Sequence, residues 1–355
     1  MELVYDSHNT IIQPVFGMSE ARLGCHYVRQ LANELDFKDV QREQLFIAAR
    51  EITSNLVVHK AIEPCLSIYR VSQPDRTGIT LVATDHGPGI PSINQAMADH
   101  HSTAGSMGCG LGAIRRLMDD FAIQSAVPQP VSKTRQSYTV GGTTLVASKW
   151  CRLQDTPPAT FHWGGISRPK LGYVSNGDAY FMAETADDIH IIVVDGLGHG
   201  KEAEIASQIA ISTVKTNLDM PYAKLFPLLH TSLRGSRGVA LMAIRLDKVN
   251  RLIHYCGVGN IEATILPQQT STPQSRPGVL GSGILPALLI NTLPWPLNGV
   301  LILHSDGVSR RWRTDPLIQQ HMHKPLLLSH LLLRDYGRYT DDATVFILQE
   351  KTRHV

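Results

Sequence analysis

The sequence is poor in the features that mark several protein classes. Its five cysteines (Cys25, Cys65, Cys109, Cys151 and Cys256) stand apart, with no C-x-x-C pair. That excludes a disulfide framework and a thiolate metal centre as first expectations. No long basic run exists and the formal net charge is only +2, so nucleic acid is not an expected partner. The longest apolar runs, such as PLLLSHLLL, are too short to span a bilayer. No basic-then-apolar segment opens the chain. The expectation is a cytoplasmic protein with no membrane partner. The sixteen histidines are scattered, with His100-His101 the only adjacent pair and nothing like H-E-x-x-H. What remains is ordinary globular material: 355 residues, 43% hydrophobic and 18% charged. That length suggests two domains.

The stretch IIVVDGLGHG, residues 191–200, organises the second half. Four consecutive β-branched residues predict a buried strand. The strand ends on Asp195, followed by glycines at 196, 198 and 200. A carboxylate at the mouth of a buried strand, on backbone free to bend, suits a hard divalent cation. The stretch alone is equally an Asp-Gly turn. Other acidic stretches in the same half tilt the reading towards a cation.

In the first half, residues 2–16 read as extended. Ser19 is placed to cap a helix over 19–35, with Glu20 in its first turn. A second helix spans 40–60, with Leu45, Ala48, Ala49, Ile52 and Leu56 on its buried face. Glu51 and Asn55, four apart, share a face beside that stripe. Two strands follow, CLSIYRVS and GITLVATD, the second ending in DHGPGI at 85–90. The Gly-rich stretch ADHHSTAGSMGCGLG, 98–112, leads straight into a helix. Its glycines would expose backbone amides at a helix N-terminus, a ready anion site. Strands FAIQSAV and TTLVASKW close the half.

The order EITSN, DHGPGI, STAGSMGCGLGAIRRLMDDF, GGTTLVASKW resembles the GHKL-type ATP-binding fold, and within it the RsbT-type anti-sigma serine kinases. The resemblance covers residues 1–151 and implies the following roles. Asn55 holds Mg²⁺ against the nucleotide phosphates. Glu51 is general base towards a substrate serine. Asp85 accepts a hydrogen bond from the adenine amine, with Gly87 and Gly89 shaping its pocket. Gly108, Gly110 and Gly112 cradle phosphate, and Ser102 and Thr103 fall in a mobile lid. Phosphoryl transfer depends mainly on alignment and charge neutralisation, which such a set supplies.

RLQDTPPAT, 152–160, reads as a stiff linker. Beyond it, LGYVSNGDAYFMAE predicts a hairpin about Asn176-Gly177, with Asp178 opening the next strand. After the strand that ends on Asp195, helices are expected over 201–217 and 223–233, with Pro227 near the first turn of the second. The stretches GVALMAIRLD, RLIHYCGVGN, IEATILP and GVLILHSDGV read as strands, and 268–283 as an exposed loop. A late helix holds PLLLSHLLLRDYG, and Asp341-Asp342 open a last buried strand. Asp178, Asp195, Asp306 and the 341–342 pair thus all stand at strand ends. Converging acids repel one another unless cations neutralise them, and two divalent ions so held can activate a water and clamp a phosphate.

NGDAYF, VVDGLGHG, GVGNIEA, LHSDGV and TDDATV resemble, in order, the SpoIIE/RsbX-type metal-dependent serine/threonine phosphatases over 161–355. The resemblance makes Asp195 the bridging and catalytic metal ligand and Gly196 a ligand through its carbonyl. Asp178, Asp306 and Asp341 are the remaining ligands, with Asp342 a neighbour, for two Mn²⁺ or Mg²⁺ ions. NGD stands where that family usually has GGD. His199 is read as a structural ring bonded to backbone, and Arg168 and Lys170 as solvated. The expected class is α+β: a GHKL (Bergerat) α/β sandwich over 1–151, a linker over 152–160, and a helix-flanked β-sandwich over 161–355.

The two resemblances imply opposite chemistry. The first half would phosphorylate a serine on a STAS-domain protein with MgATP; the second would hydrolyse phosphoserine on the same or a related protein. A sigma factor or a stressosome-like assembly is the wider partner so implied. A second reading makes the first half a nucleotide-gated module that only grips its partner, fused to one active phosphatase.

Overall fold

In the computed structural model, residues 3–7, 10–59, 61–73, 76–97, 110–128, 141–153, 160–267 and 272–350 are described. Contacts divide the chain into two units, Asn9–Ala159 and Met1–His8 together with Thr160–Val355.

The first unit grows from an antiparallel helix pair laid on a sheet. Helices α1 (Met18–Glu34) and α2 (Asp39–Val58) bury Val28 and Ala32 of one, and Leu45, Ala48, Ala49, Ile52 and Leu56 of the other. The three- and four-residue spacing of the α2 set puts it on one stripe. The helix α1 starts earlier than expected: Gly17 occupies the N-cap, so Ser19 lies inside the first turn and makes no cap bond. After β1 (Leu3–Asp6), strands β2 (Thr10–Pro14), β3 (Cys65–Gln73), β4 (Arg76–Asp85), β5 (Asp120–Ala126) and β6 (Gly142–Leu153) follow. The last five form an antiparallel sheet in the order β2-β3-β4-β6-β5. Alternate residues Leu66, Ile68, Ile79, Leu81, Leu145 and Ala147 meet the helices and Ile114 in one core. Two further helices complete the unit, the short α3 (Ile93–Ala96), which the sequence pattern did not announce, and α4 (Gly110–Leu117).

β1 does not join this sheet. It pairs antiparallel with β8 (Asp178–Glu184) of the second unit, Leu3 opposite Glu184 and Asp6 opposite Phe181. The first unit is therefore an insertion between β1 and the rest of the second, a departure from a boundary that starts at residue 1. At the other end, β6 extends to Leu153 and takes up the first two residues of the expected linker.

The second unit stacks two antiparallel sheets. One has the order β1-β8-β9-β10-β11-β13, using β9 (Asp188–Gly196), β10 (Val239–Asp247), β11 (Leu252–Val258) and β13 (Ile290–Pro294). The other is β12-β14-β15-β7, using β7 (Phe161–Arg168), β12 (Glu262–Leu266), β14 (Val300–His304) and β15 (Ala343–Glu350). Tyr180, Ile191, Val193 and Met242 of the first sheet share a core with Ile265, Leu301, Leu303 and Phe346 of the second. Ile192 and Val194 point the other way, into a core beneath α5 (Lys201–Lys215) and α6 (Tyr222–Ser232). Both faces of β9 are thus covered, which explains an unbroken apolar run in place of alternation. A 3-10 helix (Arg310–Thr314), α7 (Pro316–Gln320) and α8 (Pro325–Tyr336) complete the unit, and α8 packs on β7 and β15.

Two local expectations change. Pro227 sits in the second turn of α6, which starts at Tyr222 after an N-cap Pro221. The Asn176-Gly177 stretch is not a hairpin: β7 pairs with β15 and β8 with β9, so residues 169–177 carry the chain from one sheet to the other.

Candidate functional site

The two units carry their polar candidate groups separately. In the first unit, α2 carries Glu51 and Asn55 one turn apart, both half-buried because their neighbours Ile52 and Leu56 are anchored in the core. A Cβ built on Gly110 would lie 3.7 Å from both amide atoms of Asn55. Asn55 therefore faces the first turn of α4, where a helix has no partners of its own for its backbone N–H groups and favours an anion. Gly112 is buried within the same helix. Asp85 closes β4, and its Oδ1 accepts a hydrogen bond from the Gly87 N–H at 2.7 Å. Gly89 has φ +70°, and a Cβ there would fall 2.0 Å from the Ala126 carbonyl oxygen, so only glycine fits this turn. Ser102, Thr103 and Gly108 lie outside the described residues.

In the second unit, the acids come from strands of both sheets. Asp178 opens β8 directly opposite Asp195, near the end of β9. Gly196 donates its N–H to the Gly177 carbonyl at 2.9 Å. Asp306 follows β14, and Asp341 precedes β15. Gly307 makes that approach possible: a Cβ there would sit 1.9 Å from the Asp342 carbonyl oxygen. Asp178 is only 3% exposed. Its Oδ2 accepts from Ser305 Oγ at 2.6 Å, and that hydroxyl in turn accepts from the Thr344 N–H at 3.0 Å.

Burial, then the charge of Asp195, holds the Asp178 carboxyl well above the usual carboxylate range. Burial, then the charge of Asp306, pushes Asp195 up to about 7. Burial and Asp306 also raise Asp341. These are the marks of carboxylates buried beside one another. An all-oxygen set of this kind suits a hard divalent cation. Among the described residues, no three acidic, histidine or cysteine side chains are gathered closely enough to enclose an ion; the carboxylates meet as neighbouring pairs.

Two asparagines of the site, Asn260 and Asn176, were not singled out from sequence as site residues. Asn260 donates from its Nδ2 to Asp195 Oδ2 at 3.1 Å and to Asp306 Oδ2 at 2.8 Å. Asp342 has both oxygens bonded, its Oδ1 accepting the Lys170 N–H at 2.7 Å and its Oδ2 the Gly177 N–H at 2.9 Å, and its charge also helps to raise Asp178, Asp195 and Asp341. It clamps the 169–177 crossing. Asn176 braces the same crossing, accepting from the Asp178 N–H at 3.0 Å and donating to Ser167 Oγ at 2.7 Å. The GVGN and NGD stretches carried the only signal for these asparagines. The rim also departs from expectation. The His199 ring packs on Tyr173 with centroids 4.5 Å apart, and its Nδ1 finds no hydrogen-bond partner among the described residues, so a bond to backbone does not hold that nitrogen. The Arg168 guanidinium lies 4.4 Å from the Tyr339 ring centroid and donates to the Arg338 carbonyl at 3.0 Å, so it is held rather than freely solvated.

Comparison with known proteins agrees with this division. Residues 19–133 match the family described as histidine kinase-like ATPase domain, and residues 185–351 match the stage II sporulation protein E (SpoIIE) family. The chain thus joins a stretch similar to kinase-like ATPase domains to a stretch similar to the SpoIIE family. The serine/threonine-protein kinase RsbT of Bacillus subtilis (strain 168) is 33% identical over 124 residues, 35% of this chain and 84% of RsbT. The chain belongs, through its first unit, to the RsbT family of histidine kinase-like ATPases. The phosphoserine phosphatase RsbX of the same organism is 23% identical over 176 residues, 48% of this chain and 85% of RsbX. A structure solved in work on the bacterial stressosome, a modular system adapted to control secondary messenger signalling, is 30% identical with a TM-score of 0.50. It covers 54% of this chain and 100% of its own. No helix among the described residues is long and apolar enough to cross a membrane.

Proposed function

We propose that the chain is a cytoplasmic, bifunctional partner-switching regulator that adds phosphate to a serine of a STAS-domain protein and removes phosphate from the same or a related protein. The observation that carries the phosphatase half is the meeting of Asp195 and Asp306, from opposite sheets, on one Asn260 amide. Asp178, Asp195, Asp306 and Asp341, with the Gly196 carbonyl, would hold two Mn²⁺ or Mg²⁺ ions. When bound, such ions supply a water deprotonated near neutral pH and charge to balance the phosphoryl oxygens. The chain's own part is to hold the acids in register, through β8–β9 pairing and the Ser305 bond to Asp178. The attack of water on phosphorus releases the serine oxygen, which leaves with a proton.

In the first unit, Asn55 would hold Mg²⁺ beside the ATP phosphates, and Gly108, Gly110 and Gly112 would present backbone N–H groups to them. Asp85 would take the adenine amine in the pocket shaped by Gly87 and Gly89, with Ser102 and Thr103 in the lid. Glu51 would accept the serine proton as the γ-phosphoryl group moves from ATP to the serine oxygen. The match to RsbT supports this half, and the facing of Asn55 and Gly110 suits it.

The test uses a purified phosphoserine STAS-domain protein from a partner-switching pathway. Hydrolysis is expected with Mn²⁺, not with EDTA, and not in Asp195→Ala. Hydrolysis that survives both treatments contradicts the phosphatase half. For the other half, Glu51→Ala should abolish transfer from ATP while leaving partner capture intact; transfer that survives removes Glu51 as the base.

A further inference from the structure

The connection between β11 and β12 crosses from the six-stranded sheet to the four-stranded one, and Asn260 is the residue at the crossing. Its place is tightly set. Gly259 before it has φ +103°, and a Cβ there would lie 2.2 Å from Ala240 Cβ, so the backbone passes hard against β10. The Gly259 N–H donates to the Arg276 carbonyl at 2.8 Å. After it, Ile261 is buried in the inter-sheet core. With both neighbours fixed, the exposed Asn260 side chain spends its two N–H donors on one oxygen of Asp195 and one of Asp306. One acid belongs to each sheet.

We infer that Asn260 is a positioning residue that fixes the separation of Asp195 and Asp306 and so sets the affinity of the acidic site for divalent cations. The inference rests on the cation-dependent phosphatase reading above. Two carboxylates on separate sheets repel each other and spread unless a donor holds them. The amide bonds one oxygen of each and leaves the other oxygen of each to a cation, so the tie and an ion need not compete. Outer partners of this kind typically carry ten- to a hundredfold in cation affinity.

The test is Mn²⁺ titration of the full-length chain by calorimetry, with thermal melting of the cation-free protein alongside. Asn260→Ala is expected to bind Mn²⁺ about tenfold or more weakly, with melting unchanged because the side chain is exposed. Asn260→Asp keeps the shape but donates nothing and adds a third negative charge. It is expected to melt lower without cation and to recover when Mn²⁺ saturates it. Equal Mn²⁺ affinity in wild type and Asn260→Ala overturns the inference while leaving the phosphatase reading intact. A loss of affinity matched by a fall in cation-free melting also overturns it, because the side chain then acts on the fold. If the wild type binds no Mn²⁺, both readings fall together.

Discussion

The two units solve opposite electrostatic problems. The first offers uncharged donors: the N–H groups of α4 beside Asn55, and a turn at Gly87–Gly89 folded back on Asp85. Those donors favour an anion, and Glu51 and Asp85 stand among the candidates of the same unit. The second buries carboxylates beside one another, and burial, then the charge of Asp306, pushes Asp195 up to about 7. It gains when cations arrive. On the proposed reading, one chain carries a place for polyphosphate and a place for the ions that help remove phosphate. Each can be disabled while the other is left standing.

The strongest separation should come from Asp195→Ala. Cation-dependent hydrolysis should fall by more than about a hundredfold, beyond the range set by outer partners, with nucleotide affinity unchanged in a binding assay. The reciprocal change is Asn55→Ala. It should weaken MgATP binding by roughly tenfold or more, at least the scale of an outer partner of a bound cation. Phosphatase activity should stay. If either variant damages both functions alike, the two sites are not independent.

Acidity gives an effect of similar size in the second unit alone. A carboxyl raised in the fold keeps its proton where the unfolded chain has lost it. The stability Asp195 contributes is fully present below its ordinary pKa of 3.8 and is lost as pH rises through about 7. Cations must displace that proton. Mn²⁺ affinity should therefore climb between pH 5 and pH 7, by up to about tenfold per unit for each proton released, and flatten above that range. MgATP affinity of the first unit should not follow the same curve. A flat Mn²⁺ profile across pH 5–7 contradicts the raised protonation of Asp195.

Backbone substitutions sharpen the comparison at smaller cost. Gly89→Ala forces a left-handed turn on alanine and drives its Cβ to 2.0 Å from the Ala126 carbonyl oxygen. It should destabilise the first unit by about 1–3 kcal/mol, seen as a lower melting transition, with phosphatase activity retained. Gly307→Ala, 1.9 Å from the Asp342 carbonyl oxygen, should do the same to the second unit and weaken Mn²⁺ binding with it. If Gly307→Ala leaves Mn²⁺ affinity unchanged, the spacing of Asp306 and Asp341 does not depend on that close approach.

Much of this was legible in the sequence because it rests on local pattern. The 3.6-residue stripe of α2 identified its buried face and put Glu51 beside Asn55. Runs such as IIVV and LILH identified strands that end on acids. What stayed hidden depends on which strands pair. The Asn176-Gly177 turn reads as a hairpin until β7 is seen to pair with β15. β1 reads as part of the first unit until it is found beside β8, because four residues carry no mark of the sheet they join. β13 gave no sign because its residues are largely exposed and do not alternate. Asn260 shows its use only when both sheets are in place, since its two partners lie 65 and 46 residues away.

The most direct test of the two-site account is a phosphoprotein time course. Cell lysate would be incubated with labelled ATP and Mg²⁺, with either the wild-type chain or Asp195→Ala. A small protein should become labelled with both chains, keep its label with the variant, and lose it with the wild type once Mn²⁺ is added. Equal persistence of label with both chains, Mn²⁺ included, would contradict a phosphatase acting on the kinase's own product. No label with either chain would contradict the kinase.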